Sequence, residues 1–295
     1  MAKSELRLSL PTGFSSDDVF GLFGRDADGR TERIEGRCLT KALLIGKRPV
    51  RMELRFTAKQ VRVTIHARGK VSAAMEEDVR LKVRRMLGLA QDPTAFERHV
   101  LRSPKLKPLI AGNRGLRIPQ TVNVFEALVW VIVGQQVNLS FAGTCRSRLI
   151  LLSGQDAGEG FVAHPTPGEV ARLDYADLVE LQFSRRKAEY TIDTARLIAS
   201  GELDLEGLAE LSDEEIVTCL SGIRGLGPWS INYLLLRALG REDCVPVGDA
   251  GLVVALQRFF GLEARPDAKE TLRLMQAFAP HRSLATFHLW KSLNA

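Results

Sequence analysis

Two stretches near the N-terminus, residues 51–56 and 60–68, alternate apolar and polar side chains with a period of two. Met52, Leu54 and Phe56 mark the first, and Val61, Val63, Ile65 and Ala67 the second. That period places one apolar row on one face of a pleated strand, so the stretches predict adjacent half-buried strands joined by a short turn, the antiparallel arrangement. A further strand is expected within residues 34–45. The period then changes: across residues 73–89, Met75, Val79, Val83, Met86 and Leu87 recur on one side of a helix. Residues 103–119, rich in Pro, Gly, Lys and Arg, interrupt the pattern. A domain boundary is expected there, near residue 115.

The remainder reads as helices joined by short loops, with no strand after residue 120. Asn123 is placed to cap a helix running through Phe125, Leu128, Val129 and Ile132 to Gly134, and a second helix is expected over residues 138–152. Thr166-Pro-Gly-Glu169 and Ser212-Asp-Glu-Glu215 carry the capping-box spacing, in which a hydroxyl and a carboxylate three residues on each satisfy a free backbone N–H. Residues 184–200 are amphipathic, Pro228 opens a helix to 239, and helices over 249–260, 267–279 and 282–293 complete the chain. The fold class is therefore α+β: an N-terminal antiparallel-sheet α/β domain, 1–115, before an all-helical region, 116–295.

Composition narrows the class only slightly. The chain has 295 residues, 45% hydrophobic and 26% charged, which excludes a disordered chain. Apolar runs stop well short of the ~18 residues a membrane span needs, so no membrane partner is expected. The first residues lack the basic and apolar regions of a signal peptide. Cys38, Cys145, Cys219 and Cys244 are too dispersed for a zinc ribbon or a closely spaced iron–sulfur site, and a reducing cytoplasm is the expected compartment. Charge says more. The net charge is +6, but residues 1–120 hold 25 Lys and Arg against 13 Asp and Glu, whereas residues 121–295 hold 16 against 22. A basic first part suggests a polyanion such as nucleic acid; a solvated basic face explains it equally well.

The most informative stretch is Leu220-Ser-Gly-Ile-Arg-Gly-Leu-Gly-Pro-Trp-Ser-Ile-Asn-Tyr233: helix, tight turn Gly225-Leu226-Gly227, helix. Free N–H groups at the start of the second helix make an anion site, so such a hairpin holds a DNA phosphate without lysine. Alone, it would be an ordinary helical corner. Twenty residues after Trp229, however, Val245-Pro-Val-Gly-Asp-Ala-Gly-Leu252 brings Asp249 to the point where a loop enters a helix. An isolated Asp there is an N-cap.

Together the hairpin, Tyr233, Leu-Leu-Leu-Arg237 and the Pro/Gly loop ending in Asp249 resemble the helix-hairpin-helix, Gly/Pro-Asp DNA glycosylases. Residues 125–136, ending Val-Gly-Gln-Gln, resemble the segment before the minor-groove wedge in the bacterial 3-methyladenine DNA glycosylase II type. Phe183-Ser-Arg-Arg-Lys-Ala188 and His281-Arg-Ser-Leu-Ala-Thr-Phe-His-Leu-Trp290 resemble its later segments. The resemblance spans essentially the whole chain. It implies two helical subdomains around an active-site cleft, with the hairpin over about residues 212–240. It further implies a monomeric enzyme of base excision repair, whose partner is double-stranded DNA with alkylated bases. Such an enzyme flips 3-methyladenine or 7-methylguanine class bases from the duplex and hydrolyses the N-glycosidic bond.

By the same resemblance Asp249 is the catalytic carboxylate, facing a C1′ that becomes cationic as the base leaves. An N-alkylated purine already carries positive charge and departs without a second acid. Trp229, Tyr233 and Trp290 are implied as the base pocket, since electron-rich rings attract a cationic base. Phe23, or Phe20 beside it, would close that pocket. Gly225, Leu226, Gly227, Gln135 and Gln136 are implied to contact DNA, with Gln136 where relatives carry an apolar wedge. Trp229 stands where lyases of this superfamily place a Schiff-base Lys, which implies a monofunctional enzyme leaving an abasic site. No cofactor is required. The carbonyls of Ser221, Ile223 and Leu226 are the implied ligands of a structural sodium or potassium ion. Two rivals remain at this level: a glycosylase for other bases, and a non-catalytic DNA clamp with no use for Asp249.

Overall fold

A computed structural model describes residues 1–293. Its first part is a five-stranded antiparallel sheet of order β1-β5-β4-β3-β2, formed by β1 (Ala2–Ser9), β2 (Glu32–Glu35), β3 (Cys38–Ile45), β4 (Arg48–Phe56) and β5 (Gln60–Ala67). The two alternating stretches pair as expected, with Met52 opposite Ile65 and Leu54 opposite Val63. The segment expected to hold one strand holds two, β2 and β3, because Gly36 turns the chain at a φ of +57°. One face of the sheet is covered by α1 (Ser16–Phe23) through Val19 and Leu22, and by α2 (Ala73–Met86) through Met75, Val79, Val83 and Met86.

The helical part begins earlier in sequence than its chemistry suggests. Phe96 and Val100 of α3 (Thr94–Leu101), with Leu109, Leu116 and Ile118, pack into the helical core and not against the sheet. At the centre lies α4 (Val124–Gly134), apolar apart from Glu126 and buried over almost its whole length. Asn123 and Asn138 accept backbone N–H bonds as the caps of α4 and α5 (Leu139–Ser153). Both expected capping boxes are formed, opening α6 (Pro167–Val170) and, after α7 (Tyr175–Glu180) and α8 (Arg185–Ser200), α9 (Asp213–Ser221). Next come α10 (Pro228–Leu234), extended by a π-helical turn Leu235–Leu239, then α11 (Ala250–Phe260), α12 (Ala268–Met275) and α13 (Arg282–Ser292). Among the described residues no helix is long and apolar enough to cross a membrane.

One expectation fails. A two-stranded hairpin, β6 (Gln155–Gly158) and β7 (Phe161–Ala163), follows α5 although no strand was expected after residue 120. It is seven residues of strand around a turn in which Gly158, Glu159 and Gly160 all have positive φ, too short and polar to show a period. Docking forms it: Phe161, Ala157 and Ala163 cover Ala42 on the second face of the sheet. Arg33 and Arg51 lie over the Phe161 ring, Arg51 donates to Glu159 at 2.8 Å, and Arg68 pairs with Asp156. Part of the positive charge of the first 120 residues is thus occupied within the protein.

Two buried histidines make the fold acid-sensitive. His164, edge-on to Phe125, and His288, against Phe96, are both pulled down to about 4 by burial. Protons therefore bind the unfolded chain, whose histidines titrate near 6.5, and not the folded one. Stability is complete above about pH 6.5 and falls as the pH drops toward 4. Each histidine should remove about 2 kcal/mol by pH 5. Urea unfolding at pH 7 and pH 5 measures this, and equal stability at the two pH values would refute it. His288→Phe should lose half of the slope.

Candidate active site

The turn between α9 and α10 is held from two sides. Gly225 has a φ of +94°, and a Cβ there would lie 2.4 Å from Cγ of Tyr190 on α8, so glycine is required twice over. From the end of α4, Gln135 donates through Nε2 to the Gly225 carbonyl at 2.7 Å. Leu226 N–H donates to the Ile223 carbonyl at 3.1 Å and closes the turn, while Leu226 itself is buried. The chain then enters α10 at Gly227-Pro228, and Trp229 falls in the first turn of that helix.

Asp249 is the N-cap of α11, and its Oδ1 accepts the Leu252 N–H at 2.7 Å. The capping role expected of an isolated Asp is real, but it uses only part of the carboxylate. Trp229 donates its indole N–H to Oδ2 at 3.0 Å, and Trp290 of α13 donates to Oδ1 at 2.8 Å. Tyr233 completes the group, its ring centroid 5.6 Å from that of Trp229 and 6.3 Å from that of Trp290. Gly251 admits the Trp290 indole, for a Cβ there would stand 3.2 Å from Oδ1 of Asp249 and 3.4 Å from the ring. All three donors to Asp249 are neutral, and among the described residues no Lys, Arg or His forms an ion pair with it. The arrangement is a fixed, uncompensated negative charge beside electron-rich rings, suited to a developing positive charge.

The structure thus brings Asp249, Trp229, Tyr233 and Trp290 together from three helices. It does not bring Phe23 to them. Phe23 is buried in the core of the first domain, with the Lys41 ammonium 5.4 Å above its ring, and Phe20 packs edge-on to Phe56. From the same helix, Asp18 accepts from Lys291 Nζ at 2.7 Å, one residue after Trp290 in sequence. Burial raises the Asp18 pKa against the opposing pull of Lys291. Nothing in the hydrophobic pattern marks Asp18, since an acidic residue in a first helical turn is ordinary.

Gln136 and Gln135 differ. The Gln135 amide is turned inward onto the hairpin, whereas Gln136 is exposed at the α4–α5 junction with a φ of +54°, a left-handed conformation uncommon for any residue but glycine. Leu139 and Phe141, both exposed, flank it on α5. Neither was singled out, because their spacing reads as an ordinary helix. Of the three candidate cation ligands, the Ile223 carbonyl already accepts one bond, leaving a second lone pair, and Ser221 lies exposed at the end of α9.

Comparison with known proteins fits this geometry. Residues 129–281 match the model of the HhH-GPD superfamily base excision DNA repair proteins, and residues 5–123 match that of the AlkA N-terminal domain. A DNA-3-methyladenine glycosylase of Bacillus subtilis is 29% identical over 291 residues, 97% of this chain and 96% of its own. A second Bacillus subtilis protein, provisionally named for the same activity, is 39% identical over 189 residues, 64% of this chain and 66% of its own. In three dimensions the chain is similar to a 3-methyladenine DNA glycosylase from Archaeoglobus fulgidus, with a TM-score of 0.84 over 98% of both chains at 23% identity, a likeness of fold.

Proposed function

Since the chain belongs to the HhH-GPD superfamily of base excision DNA repair proteins, we propose that it is a monofunctional, monomeric DNA glycosylase that releases alkylated bases of the 3-methyladenine and 7-methylguanine class from duplex DNA. As a hydrolase of N-glycosyl bonds it needs a charge to face the sugar, and one observation carries the reading: Asp249 is held by two indole N–H groups with no cation against it among the described residues. As the bond to the base lengthens, C1′ becomes positive, and a fixed carboxylate stabilises it without reorganising. The cationic base leaves unprotonated, so no second carboxyl group is needed. The rings of Trp229, Tyr233 and Trp290 receive it.

Several features position the substrate in this reading. Backbone groups of Gly225, Leu226 and Gly227 meet a phosphate, with Gln135 bracing the turn and acting through it. A sodium or potassium ion on the Ser221, Ile223 and Leu226 carbonyls would add positive charge at that phosphate; the free lone pair on Ile223 fits such a ligand. Gln136, exposed and with a left-handed backbone, enters the stack where the base departs, and its amide can bond the orphaned partner. Trp229 stands after the hairpin in place of an amine, so no Schiff base forms with the sugar.

The test is incubation with alkylated duplex DNA and chromatography of the released bases. Free methylated purines and intact abasic strands are expected, with no borohydride-trapped adduct. Gln136→Ala should slow release from duplex roughly tenfold and affect single-stranded substrate far less, because only the duplex must be unstacked. Adduct formation would overturn the monofunctional assignment. An unchanged Gln136→Ala rate would remove the wedge. No release by the wild type would favour the DNA-clamp reading.

A further inference from the structure

Against the ring of Trp290 lies a cation with no salt-bridge partner among the described residues. Arg237 belongs to the π-helical turn that extends α10, a local widening that recurs at functional sites. It is buried, with its guanidinium carbon 5.5 Å from the centroid of Trp290 and 4.7 Å from that of Phe287. Its Nη1 donates to the Pro119 carbonyl at 2.9 Å, and its Nε has no partner among the described residues. Burial lowers its pKa to about 10, which still leaves it charged at neutral pH. The nearby Tyr233 hydroxyl and, after it, Asp18 partly oppose that shift, and Asp18 is already bonded to Lys291. An unpaired buried guanidinium is costly, and a Leu or Met would pack against Phe287 without that cost.

The position suggests what the charge does. A cation against one face of an indole draws electron density toward itself, so the opposite face attracts a second cation less. It also strengthens the indole N–H as a donor, and that N–H is bonded to Asp249. We propose that Arg237 is a positioning residue that sets base specificity: its charge, acting through Trp290, lowers the preference of the pocket for positively charged bases relative to uncharged ones. This rests on the glycosylase reading above. Asp249 favours a cationic base or sugar and Arg237 offsets part of that preference, so uncharged purine lesions are accepted beside alkylated ones. A base stacked on the far face of Trp290 would lie roughly 9 Å from the guanidinium, where two unit charges at an effective dielectric near 20 change a binding ratio by about twentyfold.

The experiment measures single-turnover release from two duplexes, one with 7-methylguanine, which is cationic in DNA, and one with hypoxanthine, which is neutral. The ratio of the two rates cancels any loss of folded enzyme. Arg237→Met should raise the ratio of cationic to neutral release about twentyfold, whereas Arg237→Lys should stay near wild type because it keeps the charge. Asp18→Asn removes a negative charge near Arg237 and should move the ratio the other way, by roughly twofold. Equal falls in both rates for Arg237→Met would make the residue structural only and overturn the proposal. So would Arg237→Lys behaving like Arg237→Met, or a wild type that releases 7-methylguanine but no hypoxanthine. A wild type that releases neither base overturns the glycosylase reading, and this inference with it.

Discussion

Asp249→Asn is expected to cut base release by at least about a hundredfold while leaving affinity for abasic duplex DNA nearly unchanged. The carboxylate takes three hydrogen bonds, from Trp229, Trp290 and the Leu252 amide. Asn keeps one acceptor and presents an NH2 where the second oxygen was, so one indole N–H faces another donor. Asp249→Ala separates the two effects: it removes the charge and the conflict together but costs the helix its cap, about 1 kcal/mol. If negative charge at C1′ is the cause, both variants lose release to a similar extent, and both still bind through the hairpin, which neither touches. Release by Asp249→Asn within tenfold of wild type would sink the assignment. Lost DNA affinity in both would mean that Asp249 serves the loop and not the chemistry. Single-turnover release and fluorescence anisotropy on one abasic duplex decide between these outcomes.

What the sequence made legible follows from where the stabilising interactions lie. Caps and capping boxes are local, so Asn123, Thr166 and Ser212 announce their helices and the structure forms them. The period-two strands are legible because one face of the sheet is apolar. Trp229 and Tyr233 are one helical turn apart, so their proximity was readable as soon as α10 was. The bond from Trp290 to Asp249 spans 41 residues and depends on how α13 packs on α11, which no local pattern records. The β6–β7 hairpin was missed for the same reason, since its stability comes from the sheet it docks on. Phe23 was misplaced because an apolar residue on an amphipathic helix looks the same whether it faces a core or a pocket. The basic bias of the first 120 residues suggests a polyanionic partner or a solvated face equally well. In part it is Arg33, Arg51 and Arg68 gripping that hairpin.

Glu32→Ala is expected to destabilise the protein by about 3–5 kcal/mol, the largest stability effect of any single side chain considered. Glu32 is fully buried on β2. It takes a bidentate bond from Arg146 of α5 at 2.8 and 3.0 Å, and it pairs with its cross-strand partner Lys41 at 3.2 Å. Lys41 in turn pairs with Glu126 of α4 at 3.1 Å. Burial would raise the Glu126 carboxyl, but Lys41, with His164 and Arg146 around it, holds it low. Two acids and two bases therefore balance inside the protein, and removing one acid leaves the Arg146 guanidinium buried without its partner. The penalty comes from the orphaned charge more than from the lost bond, so Glu32→Ala with Arg146→Met should recover a large part of it. Urea unfolding of the single and double variants tests this; a single-variant loss under about 1 kcal/mol, or no recovery in the double, would contradict it. The cluster also fixes register. It joins the sheet to α4 and α5, and the junction of those helices carries Gln135 and Gln136. An apolar contact tolerates sliding, whereas a bidentate pair does not. Loosening it should therefore slow release from duplex DNA more than from single strands, even below the temperature at which Glu32→Ala unfolds.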